Sequence, residues 1–161
     1  MEPEHPPGQS VHPEMQRAVT ATRERRYDAA LIHLKSIVAD RPQDQVALGM
    51  LASVYADLGM QDQAREYYDR ILTINPENPL ARHQRGILEF EAGQLESALE
   101  IWQPLLETEH DFMAHFYSAL ALMQLNRLDG VRDLLETALE RMPTDHPLRP
   151  ESEKLINVLA G

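Results

Sequence analysis

The sequence predicts an all-α fold in which two-helix units stack on one another. Three observations lead to that prediction. A set of small and large apolar residues recurs four times, the spacing within each copy is helical, and three of the four copies end in proline. Because a single helix hairpin cannot bury both of its faces, neighbouring copies must supply the core.

The repeat is clearest from one turn-like position in each copy. The four copies of that position lie about 34 residues apart and are Arg25, Gly59, Gly93 and Asn126. Five positions later each copy has a small or apolar residue, namely Ala30, Ala64, Ala98 or Val131. Four positions further on comes a large apolar residue, namely Leu34, Tyr68, Trp102 or Leu135. So many columns in step identify an internal repeat.

Each copy reads as helix, short turn, helix and stop. In the second copy, one face of the first helix holds Leu48, Leu51, Ala52 and Tyr55. One face of the second helix holds Ala64, Tyr68 and Ile71. Gly59 separates the two helices, since glycine is the usual residue for a left-handed helix end. Pro76 closes the copy because proline cannot continue a helix.

On these columns the chain resembles the tetratricopeptide repeat family. The resemblance implies a right-handed α-solenoid of about four helix hairpins, with repeats over 11–44, 45–78, 79–111 and 112–145. The second repeat matches almost every column. The third departs from the family pattern at three core columns of its first helix, which hold Arg82, Arg85 and Glu89.

The two ends of the chain differ in composition from the repeats. Residues 1–10 contain three prolines and little apolar content, so we expect a disordered tail. Residues 150–160 present Leu155, Ile156, Val158 and Leu159 after a proline, which is tolerated in the first turn of a helix. We expect this segment to be a C-terminal helix that caps the last repeat.

The family resemblance also implies where a partner binds. In such arrays the first helices line a concave groove, and the matching positions here are Met15, Val19, Arg23, Ser53, Asp57, His83, Ile87, Phe90, Met113, Phe116, Leu120 and Met123. In the third and fourth repeats these side chains are mostly apolar, which suits an apolar peptide or an amphipathic helix. The predicted function is therefore a non-catalytic adaptor, or an assembly or chaperone-like module, with a protein partner.

Two features of the sequence bear on the prediction of a binding groove. One subfamily clamps a partner's carboxylates with Lys and Asn, but the corresponding slots here hold pairs such as Gly49 with Ser53 and His83 with Ile87. The charged residues at core columns of the third repeat favour an alternative, in which a register shift of one column moves the groove residues into the core.

Charge and composition narrow the classes of partner. The formal net charge is −11, which disfavours nucleic acid and anionic membranes and favours a partner with basic flanks. No apolar run is long enough to span a bilayer. With no cysteine, disulfides and thiolate chemistry are excluded. If Met1 is the native start, a cytoplasmic location is expected.

No motif for catalysis or for a cofactor is found. The strongest metal candidate is a group of acidic and histidine residues, Glu107, Glu109, His110, Asp111 and His115, which we interpret as a solvated turn between repeats. We therefore predict no metal, no cofactor and no catalytic residue. Two alternatives stay open: a scaffold that self-associates into a homo-oligomer, and a histidine-based metal protein or enzyme.

Overall fold

The computed structural model describes residues 13–108 and 111–159, which form nine α-helices and no strands. The helices are α1 Pro13–Arg23, α2 Tyr27–Asp40, α3 Gln45–Asp57, α4 Gln61–Ile74, α5 Pro79–Glu91, α6 Leu95–Leu106, α7 Phe112–Gln124, α8 Val131–Arg141 and α9 Arg149–Leu159. The all-α prediction is confirmed. The tail predicted over residues 1–10 lies outside the described residues. No helix in the described ranges has the length and apolar content needed to cross a membrane.

The helices belong to two compact units. The first unit, Met1–Pro76, contains α1 to α4, and the second unit, Glu77–Gly161, contains α5 to α9. Within each unit the helices pack as antiparallel neighbours in chain order, α1 on α2 and α3 on α4 in the first, α5 on α6 and α7 on α8 in the second. The repeated hairpin of the sequence is therefore the repeated element of each unit.

The turn-like position of every copy has a left-handed backbone. The φ angles are 56° at Arg25, 73° at Gly59, 74° at Gly93 and 55° at Asn126. At each turn the following amide donates a hydrogen bond back into the last turn of the first helix, as Met60 N does to Tyr55 O at 2.8 Å. This is the Schellman helix end, which glycine adopts without strain. Two of the four copies adopt it with a non-glycine residue.

Three first helices share an N-terminal cap that the sequence analysis missed. The carboxylate or amide oxygens of Asp44, Asn78 and Asp111 accept hydrogen bonds from the amides of Ala47, Ala81 and Ala114 at 3.0, 2.9 and 2.8 Å. An Asp or Asn at this position satisfies an amide that the helix leaves unpaired. The cap therefore fixes where α3, α5 and α7 begin.

The core of each hairpin forms where its two helices cross. The second-helix residues Ala30, Ala64, Ala98 and Val131 are all fully buried. In the second unit Gly86 faces Trp102, and a methyl group at Gly86 would lie 2.1 Å from the indole Nε1. Glycine costs about 1 kcal/mol relative to alanine inside a helix. Its presence is therefore explained by the indole that occupies the space.

This contact also establishes the register of α5. Gly86 lies at its family column, and the indole Nε1 of Trp102 donates a hydrogen bond to His83 O at 3.1 Å. The charged residues at the neighbouring core columns form an ion pair between Arg85 and Glu89, whose side chains are 13% and 9% exposed. The alternative of a register shift is therefore wrong for this helix, because pairing accommodates the charges at the core columns.

The C-terminal helix packs on the last hairpin. The guanidinium of Arg149 donates hydrogen bonds to Leu139 O at 2.8 Å and to Met142 O at 3.2 Å, joining the start of α9 to the end of α8. The apolar side chains of α9 that pack against the core of this hairpin are Leu155, Ile156 and Leu159. The helix expected over 150–160 is thus observed at Arg149–Leu159.

Candidate functional site

The first helices of the first unit carry a mainly polar set of the predicted groove residues. On α1, Met15 is half-buried, Arg23 is exposed, and Val19 is 37% exposed. On α3, Ser53 and Asp57 are exposed. Of the five predicted groove residues on these two helices, three are polar or charged.

The polar groups of this face are bonded to tyrosines on second helices. The hydroxyls of Ser53 and Tyr68 lie 3.2 Å apart, and the hydroxyl of Tyr27 donates to the Asp57 carboxylate at 3.1 Å. Burial raises the pKa of Tyr68. The pKa of Tyr27 is raised by burial and then by its hydrogen bond to Asp57. Both phenols therefore stay protonated at neutral pH and keep these hydrogen bonds.

The first helices of the second unit carry a mainly apolar set, which we call the apolar face. Its predicted members that remain partly exposed are His83, Ile87 and Phe90 on α5, and Met113, Leu120 and Met123 on α7. Leu80, at the start of α5, is 67% exposed. The apolar face combines accessible area with fixed positions on two packed helices.

One predicted groove residue is misplaced. Phe116 is only 2% exposed, so the prediction that it lines an open groove is wrong. Its ring packs in a core cluster with Val131 and Leu135 of α8, and α9 side chains pack on that cluster. Phe116 is part of the core that supports the apolar face.

The neighbouring residue, Tyr117, lies where the sequence did not place a functional side chain. Its ring centroid is 5.7 Å from Phe90, 5.9 Å from His83 and 5.9 Å from Trp102. Trp102 is fully buried, whereas the other three rings are half-buried. The three half-buried rings therefore lie over a fixed indole, and Tyr117 joins α7 to α5 and α6.

His83 behaves as an apolar ring in this cluster. Burial lowers the pKa of His83, although the charge of Asp111 acts in the opposite direction. Its Nδ1 atom is buried and has no hydrogen-bond partner among the described residues. A neutral imidazole stacked near Trp102, with centroids 6.3 Å apart, is the expected result at neutral pH.

Sequence comparison identifies the repeat. The family described as "Tetratricopeptide repeat" matches residues 21–72 and 59–123, which together cover more than half of the chain. The chain belongs to the tetratricopeptide repeat family. No curated protein matches the chain in sequence.

Solved structures agree with this assignment at the level of fold. MamA 41-end from Desulfovibrio magneticus RS-1 is 18% identical with a TM-score of 0.75, covering 95% of this chain and 96% of its own. A second MamA structure is 16% identical with a TM-score of 0.72, covering 87% and 90%. YrrB, described as a TPR protein with an unusual peptide-binding site, is 20% identical with a TM-score of 0.71, covering 85% and 71%. The α-solenoid fold class predicted for the tetratricopeptide repeats is confirmed.

The candidate metal cluster of this tetratricopeptide repeat protein is only partly described. Glu109 and His110 lie outside the described residues. Asp111 caps α7, and its carbonyl oxygen lies 2.7 Å from Nδ1 of His115, which is 5% exposed. Within residues 13–108 and 111–159, no three His, Asp or Glu side chains are grouped so that they could hold a metal ion. Asp111 and His115 thus have structural contacts that explain their positions.

Proposed function

We propose that this tetratricopeptide repeat protein is a non-catalytic adaptor or assembly module, and that the apolar face of its second unit binds an apolar segment of a protein partner. The observation that carries the proposal is the contrast between the first helices of the two units. Those of the second unit present half-buried apolar side chains, whereas those of the first present hydroxyl and carboxylate groups already bonded to tyrosines.

Burial of the apolar face would supply the binding energy. Apolar area removed from water contributes about 25 cal/mol per Å² before the costs of ordering the partner. Methionine and phenylalanine side chains adapt to the shape of a helix or an extended peptide. Met113, Met123 and Phe90 supply that adaptable surface on α5 and α7.

The likeness to YrrB supports a peptide as the ligand, because that protein is described as having a peptide-binding site. The net charge of −11 supports a partner segment with basic residues beside the apolar ones. Family membership supports protein binding in general, since repeats of this kind stack into extended binding surfaces.

Self-association is the alternative that a specific observation favours. Val158 on α9 is 67% exposed and belongs to the helix that ends the second unit. Sedimentation velocity over a wide concentration range tests it. A concentration-independent monomer supports binding to a different protein, whereas reversible assembly that Val158→Asp abolishes would support the scaffold.

The test of the apolar face uses two matched substitutions. Leu80 on α5 and Val46 on α3 hold the same repeat column and are 67% and 64% exposed. Peptides are selected from a random library on the full chain, and their dissociation constants are measured for the wild type, Leu80→Asp and Val46→Asp. We expect Leu80→Asp to weaken binding about tenfold, since it removes an exposed leucine side chain that a bound peptide would bury.

Val46→Asp is the control, because it adds the same charge at the same column of the first unit. We expect it to leave the dissociation constant unchanged. Equal weakening by both substitutions, or by neither, would contradict the proposed face. Phe116 is unsuitable for such a test, since a charge at a residue only 2% exposed would disrupt the core.

A further inference from the structure

Phe90, a member of the apolar face, forms an aromatic corner with Tyr117. Their ring centroids are 5.7 Å apart and their planes meet at 74°. Because the rings meet edge to face, neither is stacked flat against the other. Trp102 is fully buried beneath them, with centroids 6.1 Å from Phe90 and 5.9 Å from Tyr117. The two half-buried rings of the corner therefore pack on a fully buried indole, which holds them in place.

Two carboxylates act electrostatically on Tyr117. Glu91 follows Phe90 at the end of α5, and Glu151 lies in the first turn of α9. Both side chains are exposed. Burial raises the pKa of Tyr117, and the negative charges of Glu91 and Glu151 raise it further. Negative charge from both α5 and α9 therefore acts on this aromatic corner.

The first unit contains an aromatic pair for which the chain provides its own cations. The rings of Tyr55 and Tyr67 stack with centroids 5.6 Å apart. Lys35 Nζ lies 5.7 Å from the Tyr55 centroid, and the Arg70 guanidinium lies 5.3 Å from the Tyr67 centroid. Over Phe90 and Tyr117, by contrast, no lysine or arginine of the described chain is placed in this way. Among the described residues, the first unit therefore has its own cations over an aromatic pair, and the corner of the second unit does not.

We propose that the corner of Phe90 and Tyr117, on which the charges of Glu91 and Glu151 act, binds a lysine or arginine side chain of the partner's apolar segment. A cation within about 6 Å of an aromatic centroid is attracted to the ring face. The two negatively charged carboxylates also attract this cation. The same carboxylates repel a phosphorylated or acidic segment. This inference rests on the proposed function and specifies the chemistry of its ligand.

The experiment selects peptides from a random library on two forms of the full chain. One is the wild type, and the other is the Glu91→Gln/Glu151→Gln variant. We expect wild-type selections to be enriched in lysine or arginine next to apolar residues. For a selected peptide, replacing that basic residue with methionine weakens binding to the wild type about fivefold to tenfold. In the variant, the same replacement has little effect.

A second variant controls for net charge. Glu96→Gln/Glu100→Gln removes the same charge from exposed positions on α6, and it leaves the preference for a basic residue intact. Tyr117→Phe keeps the ring and the preference, whereas Tyr117→Leu reduces the preference. Circular dichroism shows whether each variant keeps its helices.

The outcomes separate this inference from the proposed function. If the wild type selects no peptide at all, both are overturned. If it selects apolar peptides without a basic residue, or acidic ones, the apolar face binds but this inference is overturned. A preference for lysine or arginine that survives Glu91→Gln/Glu151→Gln also overturns it, because the cation would then lie elsewhere.

Discussion

The hairpins α3–α4 and α5–α6 place different residues at the same repeat columns. Where α3 has Ala52 opposite Tyr68, α5 has Gly86 opposite Trp102. The tyrosine hydroxyl lies 3.2 Å from the side chain of Ser53, whereas the indole N–H donates to a backbone carbonyl, that of His83. The larger ring in the second unit therefore requires glycine at the facing column of α5.

The comparison shows that two hairpins with the same backbone ends can carry different surface side chains. Both hairpins have the same left-handed turn and the same type of N-terminal cap, so their helices begin and end alike. In the first unit, the Ser53 hydroxyl bonds to Tyr68 within the hairpin, and the Asp57 carboxylate accepts a hydrogen bond from Tyr27 of the preceding helix, α2. In the second unit, the half-buried rings of His83 and Phe90 pack over the fully buried Trp102. The turn and cap positions thus determine where the helices of a hairpin begin and end. The surface residues between those positions determine what the hairpin can bind.

The largest expected effect comes from making α5 like α3. Gly86→Ala places a methyl group against the indole of Trp102, and we expect it to destabilise the protein by about 1–3 kcal/mol despite the better helix propensity of alanine. Ala52→Gly in the first unit lowers helix propensity by about 1 kcal/mol and also removes a methyl group from a fully buried position, so we expect a total cost of about 1–2 kcal/mol. Urea unfolding followed by circular dichroism measures both changes.

A second substitution sharpens the same comparison. Trp102→Tyr combined with Gly86→Ala reproduces the pair found in α3–α4. We expect the double variant to be more stable than the sum of the two single effects predicts, since the smaller ring makes room for the methyl group. Additive effects would mean that Gly86 and Trp102 are not coupled.

A smaller effect is expected at the turns. Arg25 and Asn126 adopt φ angles of 56° and 55° where the other two hairpins have glycine. Arg25→Gly should raise the free energy of unfolding by about 0.5–1 kcal/mol, because it removes left-handed strain from a residue with a Cβ. Asn126→Gly should raise the free energy of unfolding by less, since asparagine tolerates the left-handed conformation better than arginine does. Thermal unfolding at neutral pH measures both, and a loss of stability for Arg25→Gly would contradict the reasoning.

The smallest expected effect is a pH dependence of stability that comes from His83 in the second unit. Burial lowers the pKa of His83 in the folded protein, so the unfolded state binds a proton more readily. Stability is therefore complete above the usual histidine pKa of about 6.5 and falls as the pH drops below it. His83→Phe keeps a ring without a titrating group. We expect its melting temperature to decrease less than that of the wild type between about pH 7.5 and about pH 5.5.

A carboxylate of the first unit provides the contrast. The hydrogen bond with His33 lowers the pKa of Glu14, so its contribution is lost only as the pH falls below the usual range of a glutamate. It should not affect the comparison at about pH 5.5. Identical pH dependence in the wild type and in His83→Phe would show that His83 gains no protonation on unfolding.

The fold was predictable because its signals are local and repeated. Gly59 and Gly93 mark turns, Ala64 and Ala98 mark close crossings, and both recur at one spacing. The caps at Asp44 and Asp111 follow the same spacing and could have been found from an Asp or Asn three residues before an alanine.

The site was only partly predictable because two of its features depend on distant packing. Phe116 holds a groove column of the family, but the cluster it shares with α8, on which α9 packs, buries it. Tyr117 holds no such column, yet its ring meets residues from α5 and α6. Column rules describe a single repeat, so they do not include contacts made by a terminal helix.

The distribution of chromophores has a practical consequence. The chain has a single tryptophan, Trp102, buried in the second unit, and four of its five tyrosines belong to the first unit. Indole emission therefore monitors melting of one half of the protein, while tyrosine absorption is dominated by the other half. Whether the halves denature in one step or in sequence can be observed without attaching any dye.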